Sequence, residues 1–173
     1  RRLALTTVRF LEADFLALAE DPSPLGPGPA FGGGFHYVAA HGIATWVREP
    51  VQQALFAVAS AALRPGGLFY CSYNTQPGWL GRTTFQQLYA LERGRSDPAD
   101  PKGPLRRAIA GLQALLGTVD QPTALRHAIP QLEEDLAGLD PEQFDYLCGE
   151  FANEGWQPLY VADLHQRCLA HKL

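Results

Sequence analysis

At 173 residues, 46% of them hydrophobic and 18% charged, the chain can bury one ordinary domain, or one domain and part of another, and is too apolar to be disordered. A net charge of −4 argues against a nucleic-acid surface, which needs a basic patch. No apolar run approaches the roughly 20 residues that cross a bilayer, so neither nucleic acid nor membrane is an expected partner.

In chain order, Arg1 to Leu5 leads into no signal-peptide apolar region. Thr7 to Leu11 is a short β-rich run that predicts a first strand, followed by Glu12-Ala13-Asp14 and an apolar, helix-leaning stretch from Phe15 to Ala19. Five glycines and four prolines between Asp21 and Gly34 predict a surface loop. Phe35 to Ala40 (FHYVAA) is nearly continuous in apolar residues, which suits a strand buried on both faces of a parallel sheet. Pro50 stands where a helix would begin. Val51, Leu55, Val58, Ala62 and Leu63 then recur at spacings of three and four, predicting an amphipathic helix over 51–63. Arg64-Pro65-Gly66-Gly67 turns the chain into a second strand, Leu68 to Tyr73. Strand, helix and strand with short turns make a βαβ unit, with its two strands parallel and adjacent.

A helix is expected from Trp79 to Arg93, and the Pro, Asp and Gly content of residues 94–104 marks a linker. Beyond it the pattern is helical: about Leu105 to Leu116, Pro122 to Leu136, and Pro141 to Ala152, the last with Asp140 as cap, Pro141 at the first position and Gln143 at the capping-box position. Gln157 to Tyr160 is extended, and Ala162 to His171 forms a final helix. The division is therefore 1–93, a linker 94–104, and a helical region 105–173 that packs semi-separately. Cys71, Cys148 and Cys168 are odd in number and without zinc spacing, which suits reduced, mostly buried thiols in the cytoplasm. No methionine occurs, so no initiator is present and the chain reads as a fragment.

Ligands of open parallel sheets bind outside the carboxyl ends of the strands. The residues there are Asp14, His41-Gly42 and Tyr73-Asn74. A carboxylate at Asp14 can accept from an adenine amino group, with Phe15 packing the ring; the same position suits a helix cap. Gly42 allows a ligand close to the backbone, and His41 can orient a substrate or hold a carboxylate, or bond only locally. Trp46 walls a pocket or packs under the next helix. The loop Tyr73-Asn74-Thr75-Gln76-Pro77-Gly78-Trp79 gathers a phenol, a carboxamide and an indole, which points to a lined pocket or to a turn packed on the core. Metal-ligand clusters, phosphate loops and nucleophile elbows are all missing from the sequence.

The run FHYVAAHGIATWV, a helix, and LRPGGLFYCSYNTQPGW resembles class I S-adenosylmethionine-dependent methyltransferases. More narrowly it is similar to the bacterial group that carries a methyltransferase regulatory domain, whose opening resembles residues 144–164 here. The resemblance implies an α/β fold, a partial Rossmann-like methyltransferase sheet followed by an α-helical region, with S-adenosylmethionine as cofactor. It implies methyl transfer to a protein (lysine) or small-molecule acceptor. Asp14, Phe15, His41 and Gly42 fall on cofactor-binding positions, His41, Tyr73 and Asn74 on catalytic ones, and Trp46 and Trp79 on the acceptor side. His36 stands where the group usually has Asp, and the glycine-rich cofactor loop would lie before Arg1. The alternative is a non-catalytic methyltransferase-like remnant that binds a protein partner.

Overall fold

The computed structural model describes residues 8–28, 33–97, 99–100, 102–118, 120–140 and 143–173. Residues 8–14 carry no regular structure, so the predicted strand over 7–11 does not form in its described part; Thr7 lies outside the described residues. The physical reason is the lack of a neighbouring strand among the described residues. A strand requires a ladder partner, and the first sheet contains β1 (Phe35–Ala40) and β2 (Leu63–Cys71) alone, leaving Phe10 94% exposed. α1 (Phe15–Glu20) begins at Asp14, whose Oδ1 accepts from the amides of Leu16 (2.7 Å) and Ala17 (3.3 Å). A short 3-10 turn, Ser23–Leu25, follows in the predicted loop.

β1 and β2 pair in parallel, as expected, and α2 (Glu49–Ala62) connects them with Pro50 in its first turn. The register runs Phe35↔Leu63, then Tyr37↔Leu68 through Ala40↔Cys71, so Arg64 to Gly67 bulges out of the ladder. Gly66 at φ +78° supplies the left-handed residue that this bulge requires. The RPGG turn of the sequence is therefore a bulge inside β2, and α2 passes directly into the strand. Arg64 reaches across it to the Nε2 of His36.

The sheet is covered on one face. Val38, Ala40, Phe69 and Cys71 share the side that α2 packs on, where Phe56 meets Phe69 edge-on at 5.8 Å and Leu55 touches Ala40. Phe56 is fully buried, which contributes about 2–3 kcal/mol of transfer free energy. On the other face, Tyr37, Leu68 and Tyr70 are 56%, 67% and 44% exposed. The expectation that both faces are buried is corrected: two strands and one helix cover only one side.

The larger core lies among the later helices. α3 (Leu80–Gly94) gives it Phe85 and Tyr89, and α4 (Gly103–Leu116) gives Leu105, Ile109, Leu112 and Leu116 at spacings of four, three and four. The predicted helix over 122–136 is two, α5 (Ala124–Ala128) and α6 (Gln131–Ala137). Pro130 between them lacks the amide hydrogen that a continuous helix would use. α6 contributes Leu132 and Leu136, and α7 (Phe144–Phe151) contributes Leu147 and Phe151. Gln143 immediately precedes α7 and its amide bonds the carbonyl of Asp140 at 2.9 Å; Pro141, at the first position of the predicted helix, lies outside the described residues. Two short strands, β3 (Thr75–Gln76) and β4 (Leu159–Tyr160), pair in parallel, and α8 (Val161–Ala170) closes the chain against α2. There Arg167 bonds the buried Gln52, and Ser60 Oγ donates to the carbonyl of His171 at 2.7 Å. Among the described residues no helix is long and apolar enough to cross a membrane.

Candidate active site

Because β1 and β2 are parallel, their carboxyl ends, Ala40 and Cys71, lie on one edge, and the backbone of Ser72 extends the ladder by bonding the carbonyl of Ala40 at 3.0 Å. His41 and Ser72 thus face each other one step beyond the paired residues. Ser72 Oγ accepts from the amide of Gly42 at 2.8 Å and stands 2.9 Å from His41 Nδ1. The His41 ring stacks on Tyr70 with centroids 6.2 Å apart. Gly42 has φ +66°, and a Cβ there would meet nothing within 4 Å, so its outer side is open. Its amide, however, is taken by Ser72.

Phe15 and Tyr73 pack with Ile43 against Ala40, Ala44 and Leu55. That contact brings the first turn of α1, and with it Asp14, to the same edge as His41. Asp14 arrives there as a helix cap rather than as the end of a strand, and Phe15 points into the packed cluster. Tyr73 likewise serves the core through its ring.

Asn74, Trp46 and Trp79 are held by a segment more than a hundred residues away from Trp46. Residues 153–160 form a strap over the loops that follow β1 and β2. Asn153 Nδ2 donates to the carbonyl of Trp46 at 2.8 Å, and the amide of Gln157 donates to the carbonyl of Thr45 at 2.8 Å. The amide of Leu159 donates to the carbonyl of Asn74 at 3.0 Å, and Asn74 in turn donates its amide to Thr45 Oγ1 at 3.4 Å. Gly155 is buried against the backbone of Val47 and Arg48, close enough that a Cβ would stand 3.0 Å from the Arg48 nitrogen. All three tryptophans of the chain meet there: the Trp156 ring lies 6.2 Å from Trp46 and 5.8 Å from Trp79, and the Arg82 guanidinium sits 4.7 Å over Trp79. Trp46 and Trp79 therefore surround Trp156 instead of facing each other across an open pocket.

Among the described residues His41 and Asn74 make no hydrogen bond to each other. His41 takes Ser72 as its partner, while Asn74 Nδ2 is buried with no hydrogen-bond partner. Trp156 Nε1 is in the same condition. Ser72, Thr45, Asn153 and Trp156 were the residues that sequence reasoning passed over. Ser72 had a visible signal, being the register partner of His41 once the two strands are aligned. The other three depend on a contact between distant segments that leaves no local pattern. Cavities of about 450 and 480 Å³ lie elsewhere. One is lined by Asp21 to Gly28 with Phe35 and Ala62 at the start of β1, and the other by the 63–69 bulge with Cys168 and Leu173. The described residues hold no cluster of three or more potential metal ligands. Cys71, Cys148 and Cys168 are free and half-buried, and burial, with Cys168 nearby, pushes the Cys71 thiol up to about 11.

No family model matches the sequence. Over 139 residues, 80% of the chain, it is 27% identical to an uncharacterized protein of Synechocystis, of which the match covers 27%. Over 56 residues, 32% of the chain, it is 38% identical to an uncharacterized protein of Rickettsia prowazekii, of which the match covers 22%. Among solved structures it superposes on PKMT2 from Rickettsia typhi in complex with AdoHcy with a TM-score of 0.63 and 21% identity, over 92% of this chain and 28% of that one. A second PKMT2 structure gives a TM-score of 0.59 at 21% identity, over 81% of this chain and 25% of that one. The chain shares the mixed α/β fold of these structures, with short parallel strand pairs and many helices. It spans about a quarter of the length of PKMT2 and of the Synechocystis relative.

Proposed function

We propose that the chain is part of an S-adenosylmethionine-dependent methyltransferase acting on a protein, with a lysine side chain as acceptor. The observation that carries this reading is the gathering of Asp14, His41 and Gly42 on one carboxyl edge in a fold shared with PKMT2, a protein-lysine methyltransferase known with AdoHcy. The residues present fit such a cofactor. Asp14 offers a carboxylate beside the ring of Phe15, His41 Nε2 has no protein partner among the described residues, Gly42 leaves its outer side open, and Asn74 Nδ2 is a buried donor without an acceptor. In this reading Asp14 accepts from the adenine amino group, and His41 donates from Nε2 to the carboxylate of the methionine part. Tyr73 and Asn74, catalytic by position, lie toward the acceptor with Trp46 and Trp79 behind them.

S-adenosylmethionine supplies a methyl group on a sulfonium, which moves in line to the lone pair of the acceptor. The protein's part is positioning in a water-poor setting. A lysine acceptor must arrive as the free amine, and low dielectric favours that form over the ammonium. Residues 144–164 are the start of a regulatory domain in this reading, and the three free thiols suit the cytoplasm. A small-molecule acceptor is the lesser variant.

A second reading, a methyltransferase-like remnant that binds a protein partner, draws on one specific feature: the uncovered face of Tyr37, Leu68 and Tyr70. Calorimetric titration with S-adenosylmethionine and AdoHcy separates the two. The methyltransferase reading expects saturable binding tighter than about 1 mM, equivalent to about 4 kcal/mol. The absence of any saturable heat at that concentration favours the remnant.

A further inference from the structure

We infer that Ser72 is a positioning residue for His41, fixing which ring nitrogen carries the proton. Two polar groups meet at its hydroxyl, and only one arrangement of hydrogens satisfies this trio from within. A serine hydroxyl has one hydrogen to give and two lone pairs to receive with. The amide of Gly42, 2.8 Å away, can only donate, and it fills one lone pair. The remaining neighbour is His41 Nδ1 at 2.9 Å. If Nδ1 carried the proton, Ser72 Oγ would accept twice and its own hydrogen would be left to solvent, with no protein partner among the described residues. With Nδ1 unprotonated, the hydroxyl donates to it and every hydrogen in the trio is used.

The neutral ring then carries its hydrogen on Nε2, its one donor free of the protein. The stacking of the ring on Tyr70 fixes its plane, and the Ser72 bond fixes its rotation within that plane. Ser72 is itself set by its backbone bond to the carbonyl of Ala40, so the ring is registered to the end of the parallel ladder. The consequence for ligands rests on the methyltransferase reading: a preset Nε2 donor at the carboxyl edge suits the carboxylate of the methionine part of the cofactor. The tautomer itself does not depend on that reading.

The test is a long-range proton–nitrogen correlation spectrum of the nitrogen-15-labelled chain at about pH 8, where an ordinary imidazole is neutral. His41→Gln identifies the His41 signals among those of the five histidines. The inference expects His41 Nδ1 at the position of an unprotonated acceptor and Nε2 at that of a protonated nitrogen. In Ser72→Ala the two resonances move toward each other as the ring samples both tautomers, and Ser72→Thr, which keeps the hydroxyl, retains the wild-type pattern. A protonated Nδ1 in the unsubstituted chain overturns the inference, and so does an unchanged His41 pattern in Ser72→Ala. If Ser72→Ala does not fold, the unsubstituted chain and Ser72→Thr decide between these outcomes alone. A parallel AdoHcy titration expects about tenfold weaker binding in Ser72→Ala, the effect of misdirecting one hydrogen bond to a charged group. Equal affinity with an altered tautomer removes the link to the cofactor and leaves the positioning of the ring standing. No binding by the unsubstituted chain counts against the methyltransferase reading, while the tautomer result still judges Ser72.

Discussion

Asn153→Ala isolates the strap. The Asn153 side chain uses both ends: Nδ2 donates to the carbonyl of Trp46 and Oδ1 accepts from the amide of the buried Gly155, each at 2.8 Å. Truncation deletes both bonds and leaves the Gly155 amide in a buried place without a partner. At about 1 kcal/mol net for each bond, the loss is about 2 kcal/mol. For a chain of this size that lowers Tm by about 4–8 °C. Intrinsic fluorescence reports the event locally, because every tryptophan of the chain belongs to the group in which Trp156 of the strap meets Trp46 and Trp79. The expected result is a red-shifted emission maximum with unchanged far-ultraviolet circular dichroism, since the helical core of α3, α4 and α6 makes no use of Asn153. Asn153→Asp, which keeps the acceptor for Gly155 and turns an oxygen toward the Trp46 carbonyl, should shift emission in the same direction. A Tm within about 1 °C of the unsubstituted chain, together with an unmoved emission maximum, would refute the account of the strap.

The helical core is expected to be the stability centre. Phe85→Ala removes a ring that meets Phe151 edge-on at 4.8 Å and stacks on Tyr89, and should cost about 3–5 kcal/mol, read as a lower denaturant midpoint at unchanged slope. Tyr89 makes the same core sensitive to alkali. Burial, reinforced by Cys148 Sγ at 3.2 Å, pushes its phenol up to about 12. An unfolded phenol ionises near 10, so this contribution is complete below about pH 10 and is lost as pH rises toward 12. Urea midpoints should fall over that interval, and Tyr89→Phe should flatten the fall; an equal decline in both proteins contradicts it. At the other end of the chain, Asp14→Ala removes the α1 cap and should cost about 1 kcal/mol, seen as faster amide exchange at Leu16 and Ala17.

Local patterns in the sequence carried the βαβ unit well. Apolar spacing located α2, the near-continuous run located β1, and the proline before Val51 located the helix start, because each signal is written within one element. Burial was less legible. FHYVAA reads as a strand covered on both sides, yet coverage depends on what packs from elsewhere, and the face of Tyr37, Leu68 and Tyr70 stays exposed. The run at 7–11 has strand composition, but its described part, 8–11, has no ladder partner among the described residues, and composition cannot supply one. The helix expected over 122–136 is divided at Pro130, which has no amide hydrogen to continue the ladder.

The candidate site divides in the same way. Its edge was legible, since strand ends follow from strand positions and parallel pairing, and His41 and Gly42 stand there. Its partners were not. Ser72 answers His41 only after the register is known. The strap from Asn153 to Tyr160 reaches the Trp46 carbonyl through the Asn153 side chain and the Asn74 carbonyl through the Leu159 amide, a pairing of distant segments that leaves no local pattern. Trp46 and Trp79 looked like pocket walls because the third tryptophan, which fills the space between them, lies 77 residues beyond Trp79.

Under the proposed function, the carboxyl edge where Asp14, His41 and Gly42 stand receives the methyl donor. Backbone amide shifts of the labelled chain, followed while AdoHcy is added, map that contact residue by residue and detect even weak binding. The account predicts saturable shifts concentrated at Phe15, His41, Gly42 and Asn74, with little change in α4 and α6. Saturable shifts confined to the 63–69 bulge or to the loop before β1, with His41 and Gly42 unmoved, would contradict it.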